Sequence, residues 1–377
     1  MKTGLVLSGG GAKGAYEIGV YKALKEIGEE FAVVTGASIG SLNALFVAQD
    51  ELDAAINGWR TFTNAESLFS SEETDAQAFK KILVKNAFKG GVSTDGLKAI
   101  VASMISEEKI RKSSIRYGCV IVNAKTFKHR EVTIDEIPEG QLFDYAIASC
   151  SLYPIFKLAN IDDQKYMDGG WYDNIPINLA IDMGAERVIA VDLKAPGNNH
   201  RKPKKPIEII KIKPSRKTES IILFDEKRVE DDMKLGYLDT LKVYGLADGK
   251  YYFFKTDGLN EKVKEIQVEF LKVIDGLKDL NEPLLMLPIP SRNYADDKCF
   301  RSLIDQVGHA RKLDSLKLYD YEGFNKAALK ALKSKKDLKE TYLKIEEYLT
   351  NKTKIKVNIN RNFYVACYLM AVRRIYG

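Results

Sequence analysis

The chain has 377 residues, of which 45% are apolar and 29% are charged, the composition of an ordinary soluble globular protein. Its net charge of +6 suits an anionic surface or substrate without requiring one. The four cysteines lie far apart and form no CxxC pair, which argues against a disulfide framework or a zinc site. No segment has the roughly 20 apolar residues of a membrane span, and the apolar run at the N-terminus is too short for a signal peptide. We therefore expect a soluble cytoplasmic protein, at most peripheral at membranes.

The first 50 residues alternate between strand and helix patterns. Thr3–Leu7 is a short apolar run that predicts a buried strand, and helically spaced apolar residues then predict a helix that Gly28 ends. Residues 31–35 predict a second strand, and residues 42–47 are apolar and helical in length. This alternation is typical of a parallel sheet with crossover helices.

Later segments continue the pattern up to about residue 195. Strands are predicted at 115–122 and 187–193, and helices at 141–149 and after Pro176. The stretch 197–217 then contains eight Lys or Arg, three Pro and one Glu, which predicts an exposed loop or linker.

Beyond this stretch the sequence is rich in Lys and Glu. Residues 226–246 and much of 312–349 have helical patterns, and 251–255 (YYFFK) predicts a strand. The sequence therefore predicts an α/β domain over 1–195 and a Lys-rich, mostly helical region over 196–377.

The segment GGGAKG at 9–14 follows the first strand and opens a helix. Its GxGxxG pattern fits dinucleotide binding, but that interpretation needs a carboxylate at the end of the second strand. The second strand instead runs into Thr35 and then Gly-Ala-Ser. A triphosphate-binding loop is not matched either, because no Ser or Thr follows Gly14. Alone, the pattern is also compatible with a simple tight turn.

The segment GASIG at 36–40 is a GxSxG pattern between a strand and a helix, the setting of a nucleophile elbow. The glycines allow a sharp turn that presents Ser38 at the end of the strand, where the following helix N-terminus favours negative charge. The alternative is a serine that only caps the helix. Because loops after neighbouring parallel strands open at the same sheet edge, the amides at 9–11 are expected beside Ser38 as an oxyanion hole. Lys13 would add positive charge there.

A nucleophilic serine needs a base. The three histidines, His129, His200 and His309, have no partner visible in the sequence and fit surface positions better than a catalytic site. Asp168 stands in YMDGGWYDNIP, at the end of an apolar approach and directly before two glycines. A carboxylate on such a tight turn is a candidate base, although DGG is also a common turn sequence.

With these motifs in this order, the sequence resembles the patatin-like phospholipases. The matching segments are GGGAKG at 9–14, GASIG at 36–40 and DGG at 168–170. Supporting similarity lies in ASCSLYPIF (148–156), DNIPI (173–177) and VIAVDL (188–193), so that the resemblance covers roughly residues 3–195. KLGYLDTLK at 234–242 is similar to a segment that follows this domain in bacterial members.

The resemblance implies a three-layer α/β/α sandwich with a mainly parallel central sheet, and lipid acyl hydrolysis by a Ser–Asp dyad. Ser38 is then the nucleophile and Asp168 the base. The oxyanion loop comprises Gly9, Gly10, Gly11, Ala12, Lys13 and Gly14, the elbow glycines are Gly36 and Gly40, and the turn after the base is Gly169 and Gly170. The family usually has Arg where Lys13 stands, and Lys lacks the planar guanidinium fork.

The predicted function is hydrolysis of ester bonds in phospholipids or related acyl lipids through an acyl-enzyme, with no metal or organic cofactor and no nucleic-acid partner. Two alternatives stay open. One is a conventional hydrolase with a Ser38–Asp168–His309 triad, and the other is a non-catalytic nucleotide- or lipid-binding module built on the glycine loop. The basic stretch 201–217 and the Lys-rich second half are expected to help the protein dock on anionic membranes.

Overall fold

The structure is a computed structural model that describes residues 1–61, 90–198, 201–218, 226–277, 294–334, 336–352, 355 and 357–377. Contacts along the chain divide these residues into two units, Met1–Val243 and Tyr244–Gly377.

The first unit is built on an eight-stranded sheet. Its strands are β1 (Thr3–Leu7), β2 (Val33–Gly36), β3 (Arg116–Asn123), β4 (His129–Thr133), β5 (Ala159–Ile161), β6 (Gln164–Asp168), β7 (Arg187–Val191) and β8 (Glu208–Ile212). The order is β5-β6-β3-β2-β1-β7-β8, and β4 pairs with β3 outside this path. The strands from β3 to β8 in this order are parallel, whereas β4 and β6 are antiparallel to β3, and β5 is antiparallel to β6.

Helices cover both faces of this sheet. The described helices are α1 (Ala15–Ile27), α2 (Ile39–Gln49), α3 (Leu52–Thr61), α4 (Asp95–Met104), α5 (Glu107–Lys112), α6 (Leu142–Ser149), α7 (Ile177–Asp182) and α8 (Glu226–Val243). Val6 and Val33 pack against α7 on one face. Because side chains alternate along a strand, Val34 and Gly36 face the other side, where a Cβ on Gly36 would meet the backbone of α2. The predicted α/β/α sandwich with a mainly parallel sheet is confirmed.

Most predicted elements of the first unit are present, but the prediction of a loop over the whole of 197–217 was wrong. Residues 208–212 form β8, which pairs in parallel with β7 at the edge of the sheet. Its exposed Glu208 and half-exposed neighbours are typical of an edge strand. Charged residues and prolines at such an edge hinder pairing with the strands of other chains. The first unit therefore continues past residue 195, since β8 and α8 both belong to it.

The second unit is mostly helical, as predicted. A small sheet of β9 (Ala247–Asp248), β10 (Phe253–Lys255) and β11 (Leu318–Tyr319) accompanies α9 (Leu259–Asp275), α10 (Asp297–Arg311), α11 (Tyr321–Lys330), α12 (Lys336–Asn351) and α13 (Arg361–Tyr376). α13 is the centre of the core, with every residue from 365 to 372 buried. Among the described residues of the chain, no helix combines the length and apolar character needed to cross a membrane.

Candidate active site

The C-terminal ends of β2 and β6 meet along one edge of β3. Gly36, the last residue of β2, lies opposite Cys119, and Asp168, the last residue of β6, lies opposite Ile121. β4 pairs with the same two residues of β3 and therefore occupies the other edge. The ends of β2 and β6 are thus separated by two residues of β3, about 7 Å. Since Ser38 follows Gly36 by two residues, the strand register brings Ser38 and Asp168 to one place.

Ser38 occupies a strained turn between β2 and α2. Its φ of 52° and ψ of −133° lie outside the regions that residues with a side chain usually adopt. The turn is tight enough to require glycine on both sides of the serine. A Cβ on Gly36 would lie 2.2 Å from the carbonyl oxygen of Gly40, and one on Gly40 would lie 2.5 Å from that of Leu7. Ser38 is partly exposed while its neighbours in the chain are buried. A strained turn of this kind, flanked by glycines, is typical of a nucleophile elbow.

Asp168 is a buried carboxylate, with 3% of its surface exposed. Its Oδ1 accepts a hydrogen bond from the N–H of Gly170 at 2.7 Å. Burial raises the pKa of Asp168 from 3.8 to about 6, against the opposing effect of hydrogen bonds from the Ser38 side chain and the Gly170 backbone. The carboxyl group is therefore a stronger base than an exposed aspartate, and it is still ionised at neutral pH.

The contact between Ser38 and Asp168 is loose. The Ser38 hydroxyl lies near enough to lower the pKa of the carboxyl group. Even so, the buried Oδ2 of Asp168 has no well-formed hydrogen bond from any residue that the structure describes. Catalytic hydrogen bonds without substrate are often long or poorly aligned, so this geometry is compatible with proton transfer from Ser38 to Asp168.

The glycine loop packs directly against Ser38. A Cβ on Gly9 would lie 3.0 Å from the Cβ of Ser38. The N–H of Gly9 is already engaged, because it donates to the carbonyl oxygen of Asn174 at 3.1 Å, and the N–H of Lys13 donates to Gly10 at 3.3 Å. The backbone N–H groups that find no acceptor within the described part of the chain are those of Gly10, Gly11 and Ala12. The loop thus offers three donors where the sequence analysis assigned six residues.

The side chain of Lys13 is buried and interacts with charges outside the loop. Burial lowers its pKa, Asp232 on α8 raises it, and Lys217 lowers it. The Lys13 side chain therefore interacts electrostatically with Asp232 of α8, in addition to any role beside the glycine loop.

Asn174 connects the glycine loop to the turn after Asp168. Its backbone oxygen accepts from the N–H of Gly9, and its Nδ2 donates to the carbonyl oxygen of Gly9 at 3.3 Å. A Cβ on Gly9 would lie 2.2 Å from Asn174 Oδ1, and one on Gly170 would lie 2.6 Å from it. In the sequence, Asn174 stands within DNIPI (173–177), and the motif predicts no role for it. No local signal reveals it, because its partner Gly9 is 165 residues away in the chain.

The end of α6 holds the backbone of both candidate catalytic residues. The N–H of Ser38 donates to Ser149 Oγ at 3.1 Å, and the N–H of Asp168 donates to the carbonyl oxygen of Ser151 at 3.0 Å. Both serines are completely buried. Both lie in the segment 148–156, whose resemblance to the family did not predict this function.

The histidines occupy separate settings. His129 on β4 stacks on Tyr172 with ring centroids 3.4 Å apart. His309 lies on α10 of the second unit, next to Tyr251 with ring centroids 4.1 Å apart. His200 lies outside the described residues. The hydrogen bonds that act on the Asp168 carboxyl group come from Ser38 and Gly170.

Comparisons with known proteins agree with the motifs. Residues 5–181 match the family model described as patatin-like phospholipase. The chain is 31% identical over 193 residues to the patatin-like phospholipase domain-containing protein ZK370.4 of Caenorhabditis elegans, covering 50% of this chain and 13% of that protein. It is 30% identical over 195 residues to lysophospholipase NTE1 of Mycosarcoma maydis, covering 51% and 10%. The chain thus spans a small part of the length of these relatives.

A solved structure also aligns with the chain. The alignment with VipD from Legionella pneumophila covers 98% of this chain and 91% of the VipD chain, with a TM-score of 0.41 and 14% sequence identity. The glycine loop, the GxSxG elbow and the DGG turn all lie within the range matched by the family model. The part of this chain that matches the patatin-like phospholipase family is thus residues 5–181, which contain all three motifs.

Proposed function

We propose that this protein is a serine lipid acyl hydrolase in which Ser38 and Asp168 form a catalytic dyad. The observation that carries the proposal is the position of a partly exposed serine on a strained elbow, within reach of a buried carboxylate whose pKa is raised to about 6. The family of residues 5–181 and the lysophospholipase name of a relative support a lipid ester as the substrate.

In this mechanism the Ser38 oxygen attacks the ester carbonyl carbon while its proton moves to Asp168. The negative charge on the carbonyl oxygen is stabilised by the N–H groups of Gly10, Gly11 and Ala12. Each such donor is typically worth about 3–4 kcal/mol in other acyl-transfer enzymes. Asp168 then gives the proton to the departing alcohol oxygen, which leaves an acyl group on Ser38. A water molecule attacks this ester and passes its proton to Asp168, and the fatty acid leaves as Ser38 recovers its proton.

The proposal is tested by a fluorophosphonate probe, which forms a covalent bond with an activated serine. We expect labelling at Ser38, mapped by peptide mass spectrometry, and none in Ser38→Ala. Ser103→Ala, which removes the hydroxyl of an exposed helical serine, is the matched control and should be labelled like the native protein. Release of fatty acid from phosphatidylcholine and lysophosphatidylcholine then measures the reaction. Labelling at another residue, or a folded protein that is neither labelled nor active, would contradict the proposal.

A further inference from the structure

Three exposed aromatic side chains surround one cavity near Asp168. The cavity has a volume of about 390 Å³ and is lined by Val122, Phe127, Tyr153, Met167, Trp171 and Tyr172. Within the described part of the chain, the exposed Phe, Tyr and Trp residues are Phe127, Trp171 and Tyr153, with exposed fractions of 72%, 59% and 43%. All three belong to this cavity, and we call them the aromatic rim. Single exposed apolar residues are common, but a group of them marks an interaction surface.

The aromatic rim is assembled from three loops at the edge of the sheet that carries the candidate active site. Phe127 lies at the tip between β3 and β4, where its N–H donates to the carbonyl oxygen of Asn123 at 2.8 Å. Tyr153 follows Ser151, whose carbonyl oxygen holds the Asp168 backbone. Trp171 ends the short 3-10 helix that begins directly after Asp168. The floor of the cavity is the paired residues Val122 and Met167.

Positive charge accompanies the aromatic rim. Residues 124–130 (AKTFKHR) contain three Lys or Arg and no carboxylate, and Phe127 stands between two of the lysines. Arg201 lies over the ring of Tyr172, with 4.3 Å from its guanidinium carbon to the ring centroid, but it pairs with Glu131 and Asp173 and adds no net positive charge. Two carboxylates, Asp162 and Asp163, are exposed in the nearby turn between β5 and β6. Exposed Lys157 and Lys165 offset them, so the surroundings of the aromatic rim are net positive.

We propose that the aromatic rim is the surface by which this protein docks on an anionic phospholipid bilayer. This inference rests on the proposed function, because the substrate would then be taken from the membrane. Trp and Tyr favour the boundary between lipid headgroups and acyl chains, and Phe127 would enter the acyl region. Lysines beside them interact with anionic headgroups over about one Debye length. The aromatic rim differs from the basic stretch 201–217, in which Arg201 pairs with Asp173 and Lys204 with Asp182.

The two tryptophans of the chain make this surface directly observable. Trp59 is completely buried, whereas Trp171 belongs to the aromatic rim. We expect the emission of Trp171 to shift to shorter wavelength when the protein is mixed with phosphatidylcholine vesicles that contain phosphatidylglycerol. Lipids brominated in the acyl chains should quench the same emission. The experiment uses Ser38→Ala so that the bilayer stays intact, and Trp171→Phe should remove both effects.

Two variants probe the apolar and the charged parts of the surface. Phe127→Ser should weaken vesicle binding about tenfold, since a large side chain no longer enters the bilayer. Leu343→Ser, at a 49% exposed position of α12, is the matched control and should bind like the parent. Lys125→Gln with Lys128→Gln should weaken binding to anionic vesicles by a similar factor at low salt and have little effect on neutral ones. Lys255→Gln with Lys339→Gln, two exposed lysines of the second unit, is the charge control.

The outcomes separate this inference from the proposed function. Unchanged Trp171 emission on anionic vesicles, in a protein whose native form is labelled at Ser38, would overturn the docking surface and leave the hydrolase proposal standing. A shift of Trp171 emission without labelling of native Ser38 would do the reverse. A dimer in analytical ultracentrifugation that Phe127→Ser dissociates, without vesicle binding, would assign the aromatic rim to self-association and overturn the membrane proposal.

Discussion

Asp168 reduces the stability of the folded protein while it fits the role of a base. Burial raises its pKa from 3.8 to about 6. Between about pH 4 and pH 6, the Asp168 carboxyl group therefore binds a proton more tightly in the folded state than in the unfolded state. The stability of the protein should therefore fall as the pH rises from about 4 to about 6, and should stay lower above it. A shift of this size corresponds to about 2–3 kcal/mol.

We expect Asp168→Asn to unfold at higher urea concentration than the native protein at pH 8, by about 2–3 kcal/mol in the free energy of unfolding. Asn keeps the acceptor for the Gly170 N–H but carries no charge. The difference should shrink as the pH falls towards 4, where the Asp168 carboxyl group of the folded protein is protonated. Asp163→Asn, at an exposed turn position, is the matched control for the change from carboxylate to amide. A difference that is equal at pH 4 and pH 8 would contradict the raised pKa.

The same variant should lose nearly all ester hydrolysis, and the native activity should fall as the pH drops through about 6, because protonated Asp168 cannot accept the Ser38 proton. Activity on a soluble ester that persists in folded Asp168→Asn would remove Asp168 from the role of base. Hydrolysis that disappears in a folded variant lacking His129, His200 and His309 would revive the Ser–Asp–His alternative.

α8 packs closely against α1, the helix that begins directly after the glycine loop. A Cβ on Gly236 of α8 would lie 2.0 Å from the backbone oxygen of Tyr16. The hydroxyl of Tyr16 donates to Asp239 Oδ2 at 3.0 Å, in a buried position. The two helices are therefore held together by close contact of their backbones and by a buried hydrogen bond. Through α1, α8 stabilises the position of the glycine loop.

We expect Gly236→Ala to lower the free energy of unfolding by about 1–3 kcal/mol, because the added methyl group must move one helix away from the other. Labelling of Ser38 by the fluorophosphonate probe should slow as well, since α1 starts at the glycine loop. Gly276→Ala is the control, because Gly276 has helical φ. A Cβ added there would lie 3.1 Å from the end of the Leu349 side chain, which can move aside more easily than a backbone. If the two substitutions have equal effects on urea unfolding, the close approach of α8 does not carry this stability.

The elements that the sequence predicted best are those with uninterrupted apolar runs. β1 was predicted at its observed bounds, Thr3–Leu7, because a strand buried on both faces has no polar residue to obscure it. β8 was missed because its EIIKI sequence lies among prolines and lysines that protect a sheet edge and also resemble a linker. Ser38 and Asp168 could be proposed from glycine-flanked motifs. Asn174 and Ser149 could not, because their partners lie more than a hundred residues away in the chain.

The first compact unit of the chain is longer than the range that the family model matches. The match ends at residue 181, whereas the unit includes β7, β8 and α8 and ends at Val243. The buried side chains of α8 include Val229, Met233 and Leu238. Without this helix, the face of α1 that contacts it would be exposed to water as an apolar patch. The unit that folds independently should therefore be residues 1–243.

We expect a fragment of residues 1–243 to be soluble, to unfold cooperatively and to be labelled at Ser38 by the fluorophosphonate probe. A fragment of residues 1–195 should aggregate or lack a cooperative transition, since it loses the edge strand β8 together with the helix that packs on α1. Thermal unfolding followed by circular dichroism, with gel filtration, distinguishes the two outcomes. Intermediate fragments ending at 218 retain β8 but not α8, and would show which element is needed. Equal stability and labelling of 1–195 and 1–243 would place the boundary of the folding unit at 195, as the sequence alone suggested.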